Sequence, residues 1–381
     1  MSKVLDRITS SAIRELLTIT ERPEIISLAG GLPAPDAFPA AELAAAFATV
    51  IGDDPAALQY SATEGNRGLR EWAAARHGAG VDEVLVTNGS QQGLELVARA
   101  TLDPGDVLAL ADPGYVGAIQ AFGLAGAHLH GVPCDEDGLD VEALEHDITA
   151  GGLRPRAVYV VPSFHNPAGG TLTHERASRL AELAERYGFL IVEDDPYSAL
   201  RWRGTPPPPL RDLAPEHTVA LRTFSKVLAP GLRIGFAIAP KELASSLGLL
   251  KQATDLHTST VVQRAAHAVV TTPGFLDGHL ARITPVYEER ASALVDALHR
   301  RLGDRLRCSE PDGGMFLWCA TDVDTTALLP TAIEHGVAFV PGRAFAVGTD
   351  HTQRLRLSFA TAAPDELDEA VSRLASAFDH R

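Results

Sequence analysis

Residues 218–233 read TVALRTFSKVLAPGLR and place one lysine, Lys226, in a loop between two apolar segments. The apolar runs 218–221 and 234–239 predict two short buried strands, and a loop between buried strands can hold a reactive side chain rigidly. Lysine occurs at only four positions, and Lys226 stands seven residues before Arg233. Such a lysine is either an amine of lowered pKa beside an anion site or a solvent-facing loop residue. This stretch alone favours the solvent-facing residue, and the rest of the chain changes that balance.

Length and composition limit the classes of protein that the chain can represent. At 381 residues it exceeds the roughly 250–300 residues that one hydrophobic core spans, which predicts two domains. A net charge of −16 argues against nucleic acid or an anionic membrane as the main partner. The three cysteines have no C-x-x-C spacing, which indicates a reducing compartment and no structural metal. No apolar run is long enough to cross a bilayer and no export signal is visible, so we expect a cytoplasmic enzyme.

Strand-like and helical patterns alternate from residue 82 onward, which predicts an α/β fold with a mostly parallel sheet covered on both faces. The predicted strands of this sheet are 83–87, 106–110, 157–161, 189–193, 218–222 and 234–239, and the helices are 91–101, 115–124 and 173–187. Before them we predict helices at 10–20, 40–51 and 66–77. After them a long helix, 276–302, leads to strands 315–319, 337–340 and 355–359 with helices at 324–335 and from 364. The predicted domains are an N-terminal arm of the small domain at 1–38, a large domain at 39–275 and a small α+β domain at 276–381.

The residues that follow each predicted strand are informative, because ligands of an open parallel sheet bind beyond the carboxyl ends of its strands. Residues 87–93, TNGSQQG, follow the first strand and begin a helix whose free N–H groups can bind a phosphate. The segment matches neither G-x-G-x-x-G nor the Walker A loop, which disfavours nucleotide binding. The alternative is that Ser90 only caps the helix.

The other strand ends add an aromatic ring, an amide, carboxylates and a phenol. Tyr115 can stack on a flat ligand or pack under a turn, and Asn166 supplies an amide from a loop of turn residues that are usually structural. The carboxylates at 193–195 end an apolar strand, where a charge needs a cationic partner, and Tyr197 follows them. Together with Lys226, these groups suit a planar phosphorylated aldehyde, pyridoxal 5′-phosphate. The lysine would form a Schiff base with the aldehyde, and a carboxylate would keep the pyridine nitrogen protonated.

The same segments resemble the class I/II aminotransferases of fold type I, in order and spacing over nearly the whole chain. They are NGSQQG at 88–93, NPAG at 166–169, EDDPY at 193–197, SK at 225–226 with PGLR at 230–233, and LRLSF at 355–359. The opening ISLAGGLP, residues 26–33, resembles the branch that contains 2-aminoadipate and kynurenine aminotransferases. The resemblance implies a large cofactor-binding domain with a mostly parallel seven-stranded sheet, a smaller α+β domain, and a homodimer with active sites at its interface.

The resemblance also implies a role for each matched residue, with Lys226, Asp194 and Tyr197 as the catalytic ones. Lys226 is expected to form the Schiff base, and Asp194 to pair with the pyridinium nitrogen. The other expected cofactor contacts are Asn166 and Tyr197 at the ring hydroxyl, Tyr115 stacked on the ring, Ser90, Gln91, Thr223, Ser225 and Arg233 at the phosphate, and Tyr60 reaching the phosphate from the second subunit. The expected substrate contacts are Arg356 at the α-carboxylate, Asn166, Gly31 along the backbone, and Arg22 at the distal end.

Two positions depart from the family's pattern. His165 precedes Asn166 where the branch commonly has glutamine, which bears on side-chain specificity, although we favour a histidine that packs within its loop. Thr223 stands where a phosphate-binding serine is usual, and its hydroxyl can still donate a hydrogen bond.

The reaction that the resemblance implies is a ping-pong transfer of the α-amino group of an L-amino acid to a 2-oxo acid, expected to be 2-oxoglutarate. The sequence does not identify the amino donor. The same scaffold also carries out elimination, decarboxylation and cyclisation, so an enzyme of amino-acid or natural-product biosynthesis is the nearest alternative. A cofactor-binding regulator is disfavoured, because it needs an attached DNA-binding module and few residues precede Ser10.

Overall fold

The computed structural model describes residue 16 and residues 22–380, which form strands and helices in alternation. The strands are β1 (Ile26–Ser27), β2 (Val84–Thr87), β3 (Val107–Asp112), β4 (His128–Asp135), β5 (Gly138–Leu139), β6 (Pro155–Val160), β7 (Leu190–Asp194), β8 (Thr218–Thr223), β9 (Gly235–Ile238), β10 (Phe316–Ala320), β11 (Val337–Ala338), β12 (Val340–Pro341) and β13 (Arg354–Ser358). The α-helices are Ala40–Asp53, Arg67–Arg76, Gly89–Thr101, Val116–Ala125, Val141–Thr149, His174–Tyr187, Leu210–Leu213, Lys241–Thr254, Thr260–Val270, Phe275–Arg301, Thr325–Glu334 and Pro364–Asp379. Apart from Leu16, the helix predicted at 10–20 lies outside the described residues.

The main sheet has eight strands in the order β2-β9-β8-β7-β6-β3-β4-β5. Strands β8, β7, β6, β3 and β4 are mutually parallel, and β9 runs antiparallel to both β2 and β8. The predicted number was seven, and the additional strand is β5, two residues that fold back on the end of β4. The predicted mostly parallel α/β sheet is confirmed. Because β2 and β8 are both antiparallel to β9, β2 runs in the same direction as β8, and the sheet brings the carboxyl ends of six strands to one edge.

Alternate residues of the central strands pack on opposite faces of this sheet, as the two-residue period of a strand requires. In β7, Val192 joins the hydrophobic cluster of Leu94, which lies in the helix after β2. Its neighbour Ile191 joins the cluster of Leu180, in the helix after β6. Both faces are therefore covered by helices, which explains why these strands are almost continuously apolar.

The residues that begin and end the helix His174–Tyr187 are the ones that the sequence indicated. The Thr173 hydroxyl accepts a hydrogen bond from the Arg176 N–H at 3.2 Å and caps the helix His174–Tyr187. Gly188 ends the helix with a φ of 74°, a left-handed conformation that favours glycine. The predicted boundaries at Thr173 and Gly188 are confirmed.

The C-terminal part of the chain contains a second, smaller sheet, in which β13 lies between β10 and β12 and runs antiparallel to both. The N-terminal strand β1 pairs in parallel with β11, so the residues before the large sheet join the C-terminal part of the chain. The helix Pro364–Asp379 packs along the long helix Phe275–Arg301. The domain boundaries at residues 38 and 275 stay a prediction.

Sequence patterns did not predict β4, β5 or the helices Val141–Thr149, Lys241–Thr254 and Thr260–Val270. In β4 the sequence HLHGVPCD lacks an apolar run, because this strand lies near the edge of the sheet and is only partly buried. Across residues 22–380, no helix combines the length and apolar character that crossing a membrane would require.

Candidate active site

A cavity of about 270 Å³ opens at the carboxyl edge of the main sheet. It brings together twelve of the residues predicted from the sequence: Gly31, Ser90, Gln91, Tyr115, Asn166, Asp194, Tyr197, Thr223, Ser225, Lys226, Arg233 and Arg356. Four residues that the sequence did not single out complete the lining, Tyr159, Val161, Pro196 and Pro230. The loops after β2, β3, β6, β7 and β8 supply most of these groups, because parallel strands end together.

Lys226 presents its amine to this cavity. The Nζ atom donates a hydrogen bond to the Gly31 carbonyl oxygen at 2.6 Å, which ties the lysine to the segment after β1. Burial, together with the positive charges of Arg356 and Arg233, lowers the pKa of Lys226 to about 8. An amine with this pKa is partly neutral near pH 7–8 and can act as a nucleophile or a base.

Asp194 is buried at the end of β7 with one carboxylate oxygen unpaired. Its Oδ2 atom accepts a hydrogen bond from the Tyr159 hydroxyl at 2.9 Å, whereas Oδ1 has no hydrogen-bond partner within residues 22–380. Burial raises the pKa of Asp194 to about 7, against the opposing hydrogen bond from Tyr159. A buried carboxylate with a free oxygen at the wall of a cavity is suited to a cationic group on a ligand.

One end of the cavity is built to bind an anion. Ser90 and Gln91 lie in the first turn of the helix Gly89–Thr101, where backbone N–H groups are free. Arg233 reaches the same loop and donates to the Asn88 carbonyl oxygen at 3.0 Å. Its φ of 51° is a left-handed conformation uncommon for arginine, as found where the surrounding structure fixes a side chain.

Thr223 and Gly235 keep this anion site open and hold its groups in place. Thr223 accepts a hydrogen bond from the Ser225 N–H at 3.1 Å, and the two hydroxyls lie 2.9 Å apart. A Cβ atom on Gly235 would lie 2.8 Å from the Ser90 nitrogen, so only glycine lets β9 approach the loop this closely. Thr223 therefore positions Ser225, and Gly235 is a requirement of the site that the sequence did not reveal.

Arg356, in β13, is buried beside Asn166. Its guanidinium donates to Asn166 Oδ1 at 2.7 Å and to the Ala29 carbonyl oxygen at 2.6 Å. It also lies over the Phe316 ring, 4.1 Å from the ring centre, with no carboxylate partner among the described residues. Burial lowers the pKa of Arg356 to about 10. Such a guanidinium is available to bind the carboxylate of a ligand.

Two tyrosines of the predicted site, Tyr115 and Tyr197, line the cavity. Tyr197 accepts a long hydrogen bond from the Asn166 amide, at 3.5 Å, and burial raises its pKa. Burial also raises the pKa of Tyr115 to about 12. Both phenols are therefore protonated at neutral pH and can donate hydrogen bonds to a ligand.

Two predicted residues do not line the cavity of this single chain. Tyr60 is 79% exposed, and its ring packs against the edge of His257. Arg22 is exposed as well. Their predicted roles therefore depend on groups beyond the cavity described here.

His165 lies beneath the cavity wall and not in it. Its side chain is buried, its Nδ1 accepts a hydrogen bond from the Ala168 N–H at 3.4 Å, and burial lowers its pKa to about 4. A neutral histidine that holds its own turn agrees with the loop-packing interpretation.

Asp112, at the end of β3, has a structural role that the sequence did not indicate. Its carboxylate accepts hydrogen bonds from the backbone N–H groups of residues 347–349 and from His351 Nε2, the last at 2.7 Å. Burial opposes ionisation, but these hydrogen bonds outweigh it and hold the pKa of Asp112 well below its usual range. The contact joins the segment before Tyr115 to the loop before β13.

We expect Asp112→Asn to lower the free energy of unfolding by about 2–3 kcal/mol, because an amide oxygen cannot replace the charged acceptor of four hydrogen bonds. Chemical denaturation of the variant and the parent protein measures this difference. Asp350→Asn is the matched control, since Asp350 is exposed and lies in the loop that the Asp112 carboxylate binds. Equal stability of the two variants would show that the Asp112 contacts contribute little.

The residues of the cavity fit pyridoxal 5′-phosphate at both ends. Asp194 Oδ1 lacks a partner where a protonated ring nitrogen would bind, and the helix start at Ser90 with Arg233 offers donors to a phosphate. Lys226 provides an amine for the aldehyde. Arg356 remains for the carboxylate of a substrate.

Comparisons with known proteins agree with this chemistry. The model of the family described as aminotransferase class I and II matches residues 23–374. The chain is 42% identical to the 2-aminoadipate transaminase of Thermus thermophilus, over 97% of the chain and 94% of that protein. It is 38% identical to aromatic-amino-acid aminotransferase 1 of Thermococcus litoralis, over 96% of the chain and 91% of that protein. The crystal structure of the Pyrococcus horikoshii kynurenine aminotransferase in complex with PMP matches with a TM-score of 0.94 and 37% identity, covering 100% of this chain and 97% of that one.

Proposed function

The chain belongs to the family of class I and II aminotransferases, and from this membership we propose that it transfers the α-amino group of an L-amino acid to 2-oxoglutarate. It has fold type I, and the family uses pyridoxal phosphate as cofactor. The observation that carries the proposal is the pairing, in one cavity, of a buried lysine of lowered pKa with a buried carboxylate that has a free oxygen.

The cofactor would be held by residues at both ends of the cavity. Asp194 would pair with the ring nitrogen, and Asn166 and Tyr197 would donate to the ring hydroxyl. The residues proposed to bind the phosphate are Ser90, Gln91, Thr223, Ser225 and Arg233. Tyr115 would stack on the ring.

Pyridoxal 5′-phosphate supplies an aldehyde that condenses with amines and a protonated ring that accepts electrons. Lys226 would be the base that removes the proton from the substrate Cα and later returns it, and its lowered pKa suits that work near neutral pH. Arg356 would bind the substrate α-carboxylate as a bidentate fork and fix the direction of the Cα–H bond, with Gly31 along the substrate backbone. Beside a protonated ring nitrogen, Asp194 would be ionised and would hold that nitrogen in its protonated form.

The donor proposed for this reaction is an L-amino acid with a long acidic or a large aromatic side chain. The support is the similarity to relatives named for 2-aminoadipate, aromatic amino acids and kynurenine. Arg22, which is exposed near the start of β1, would contact the distal end of the side chain.

We also propose a homodimer in which Tyr60 completes the neighbouring active site. An exposed patch of Leu58, Tyr60 and Leu256 supports this, since single chains seldom leave large apolar side chains together in water. The patch adjoins the phosphate end of the cavity, because Asp255 accepts a hydrogen bond from the side chain of Asn88. The cytoplasmic location expected from the sequence stays a prediction.

A donor screen tests the proposed reaction. The purified protein, loaded with pyridoxal phosphate, is incubated with 2-oxoglutarate and each candidate amino acid, and glutamate is measured. We expect glutamate to form fastest with 2-aminoadipate or with aromatic amino acids. A donor that disappears without equimolar glutamate, by loss of carbon dioxide or by elimination, would contradict amino transfer to 2-oxoglutarate.

A further inference from the structure

Two of the three cysteines face each other across a pair of antiparallel segments. Arg307 and Ala320 exchange both of their backbone hydrogen bonds, at 2.8 and 2.7 Å, in a bridge at the free edge of β10. In the same register, one residue further along, Cys308 lies opposite Cys319. This position is a non-hydrogen-bonded pair, in which the Cα atoms lie about 4.5 Å apart and both side chains point to one face. Disulfides bridge Cα separations of about 4.4–6.8 Å, so the backbone need not rearrange.

The two thiols are free and differ in their surroundings. Cys319 is fully buried, whereas Cys308 is partly exposed. A hydrogen bond from Cys319 lowers the pKa of Cys308, and burial raises the pKa of Cys319 well above its usual value. Cys308 is therefore the thiol that meets a reagent from solution first, and Cys319 is placed to react second.

We propose that Cys308 and Cys319 form a reversible redox site that exchanges with low-molecular-weight disulfides such as oxidised glutathione. The Cys308 thiolate attacks one sulfur of the external disulfide, whose S–S bond breaks and releases one thiol. The Cys319 thiol then loses its proton and attacks the Cys308 sulfur, which releases the second thiol. Two protein thiols are oxidised to one disulfide, and one external disulfide is reduced to two thiols.

The position of the pair gives the disulfide a structural effect. Cys308 directly precedes the segment 309–312, which lines a cleft of about 710 Å³ together with Trp318 of β10. The segment is otherwise held by hydrogen bonds from Trp202 to the carbonyl oxygens of residues 311 and 312, at 3.1 and 3.0 Å. A covalent link from Cys308 to β10 would fix this wall of the cleft in its present position. It would also close a short loop in the unfolded chain, which stabilises the folded state.

The experiment exposes the cofactor-loaded protein to oxidised glutathione under native conditions, alkylates the remaining thiols and maps the peptides by mass spectrometry. We expect a peptide pair joined through Cys308 and Cys319, with Cys134 alkylated. Cys134 is the internal control, because it has no neighbouring cysteine and burial raises its pKa to about 12. Treatment with dithiothreitol should remove the link.

Single variants separate this site from unspecific oxidation. In Cys319→Ser, glutathione should accumulate on Cys308, because the second thiol is missing. In Cys308→Ser, Cys319 should stay unmodified, and Cys134→Ser should form the link as fast as the parent protein. The parent protein carrying glutathione on Cys308 without a link, or showing both thiols free after prolonged exposure, would overturn the proposal.

A stability measurement adds a readout that does not depend on enzyme activity. We expect the midpoint of thermal unfolding to rise after oxidation of the parent protein and of Cys134→Ser, and to stay unchanged for Cys308→Ser. If oxidation raised the midpoint of thermal unfolding of Cys308→Ser by the same amount, the disulfide between residues 308 and 319 would not be the cause of the rise.

Discussion

Replacing Lys226 with alanine is expected to lower the rate of amino transfer by about three orders of magnitude. The variant loses the amine that we propose condenses with the cofactor and acts as the base that moves the Cα proton. Among the residues that the structure describes, the cavity offers no second amine, since its other lining residues are hydroxyl, amide, carboxyl, guanidinium and apolar groups. Measurement of glutamate formation with the best donor of the screen tests this expectation under saturating cofactor.

Lys241→Ala is the matched control for this variant. Lys241 is an exposed lysine paired with Asp82 at 3.0 Å. Replacing it with alanine removes one lysine amine, as Lys226→Ala does, but from the surface. The control should retain full activity, and Lys226→Arg should be as inactive as Lys226→Ala, because a guanidinium stays protonated. Substantial turnover by Lys226→Ala would require a base elsewhere and would remove the catalytic role assigned to Lys226.

Asp194→Asn should lower activity by about two to four orders of magnitude, which corresponds to the roughly 3–5 kcal/mol lost when one partner of a buried ion pair is removed. The amide keeps the shape of the side chain and can still accept from Tyr159. It cannot hold a proton on the cofactor's ring nitrogen, so the ring becomes a poorer electron acceptor. The kcat for the best donor is the quantity to compare.

The same variant should stabilise the cofactor-free protein at pH 8, on the order of 2–4 kcal/mol. Burial raises the pKa of Asp194 to about 7 in the folded state, above its value in the unfolded chain. Between about pH 4 and 7 the folded state therefore binds more protons than the unfolded state, and stability falls as the pH rises. Asparagine has no charge to bury, so this loss should disappear.

Asp195→Asn controls for the change in net charge one residue away. The Asp195 carboxylate caps the Ser198 N–H at 3.0 Å, outside the catalytic cavity, and an amide oxygen can accept the same bond. If Asp194→Asn kept the activity of Asp195→Asn, or failed to stabilise the cofactor-free protein, the role of Asp194 as the partner of a ligand cation would be wrong.

Most of the residues that the sequence proposed for the site line one cavity, because they lie at the ends of strands. Six strands that run in the same direction end at one edge, so residues that follow different strands, such as Tyr115, Asn166 and Lys226, meet in space although they are far apart in the chain. Buried parallel strands are also the elements that an apolar run indicates most clearly. Fold class and cavity were therefore accessible from the same pattern.

Contacts made within the sheet or between distant segments could not be predicted from the sequence. Tyr159 lies inside β6, where the sequence pattern predicts a buried core residue. Its contact with Asp194 depends on the pairing of β6 with β7, which the sequence pattern does not specify. Phe316 and Arg356 meet because β10 and β13 are neighbours, which no local pattern in either strand specifies. The weakly apolar strand β4 was missed for a related reason, since edge strands lack a clear signal.

Tyr60 and Arg22 show a different limit. Their proposed roles came from resemblance alone, and in the single chain both are exposed and lie outside the cavity. For Tyr60 the component that we propose to complete the site is a second copy of the chain, which the structure of one chain does not contain.

The central claim is that Lys226 binds pyridoxal 5′-phosphate covalently in this cavity. The most direct test is to reduce the cofactor-loaded protein with borohydride and to locate the phosphopyridoxyl group by peptide mass spectrometry. The chain has four lysines, at positions 3, 226, 241 and 251, which makes the assignment unambiguous. We expect one group per chain, on Lys226. A label on another lysine with Lys226 unmodified, or no label at all, would contradict the account.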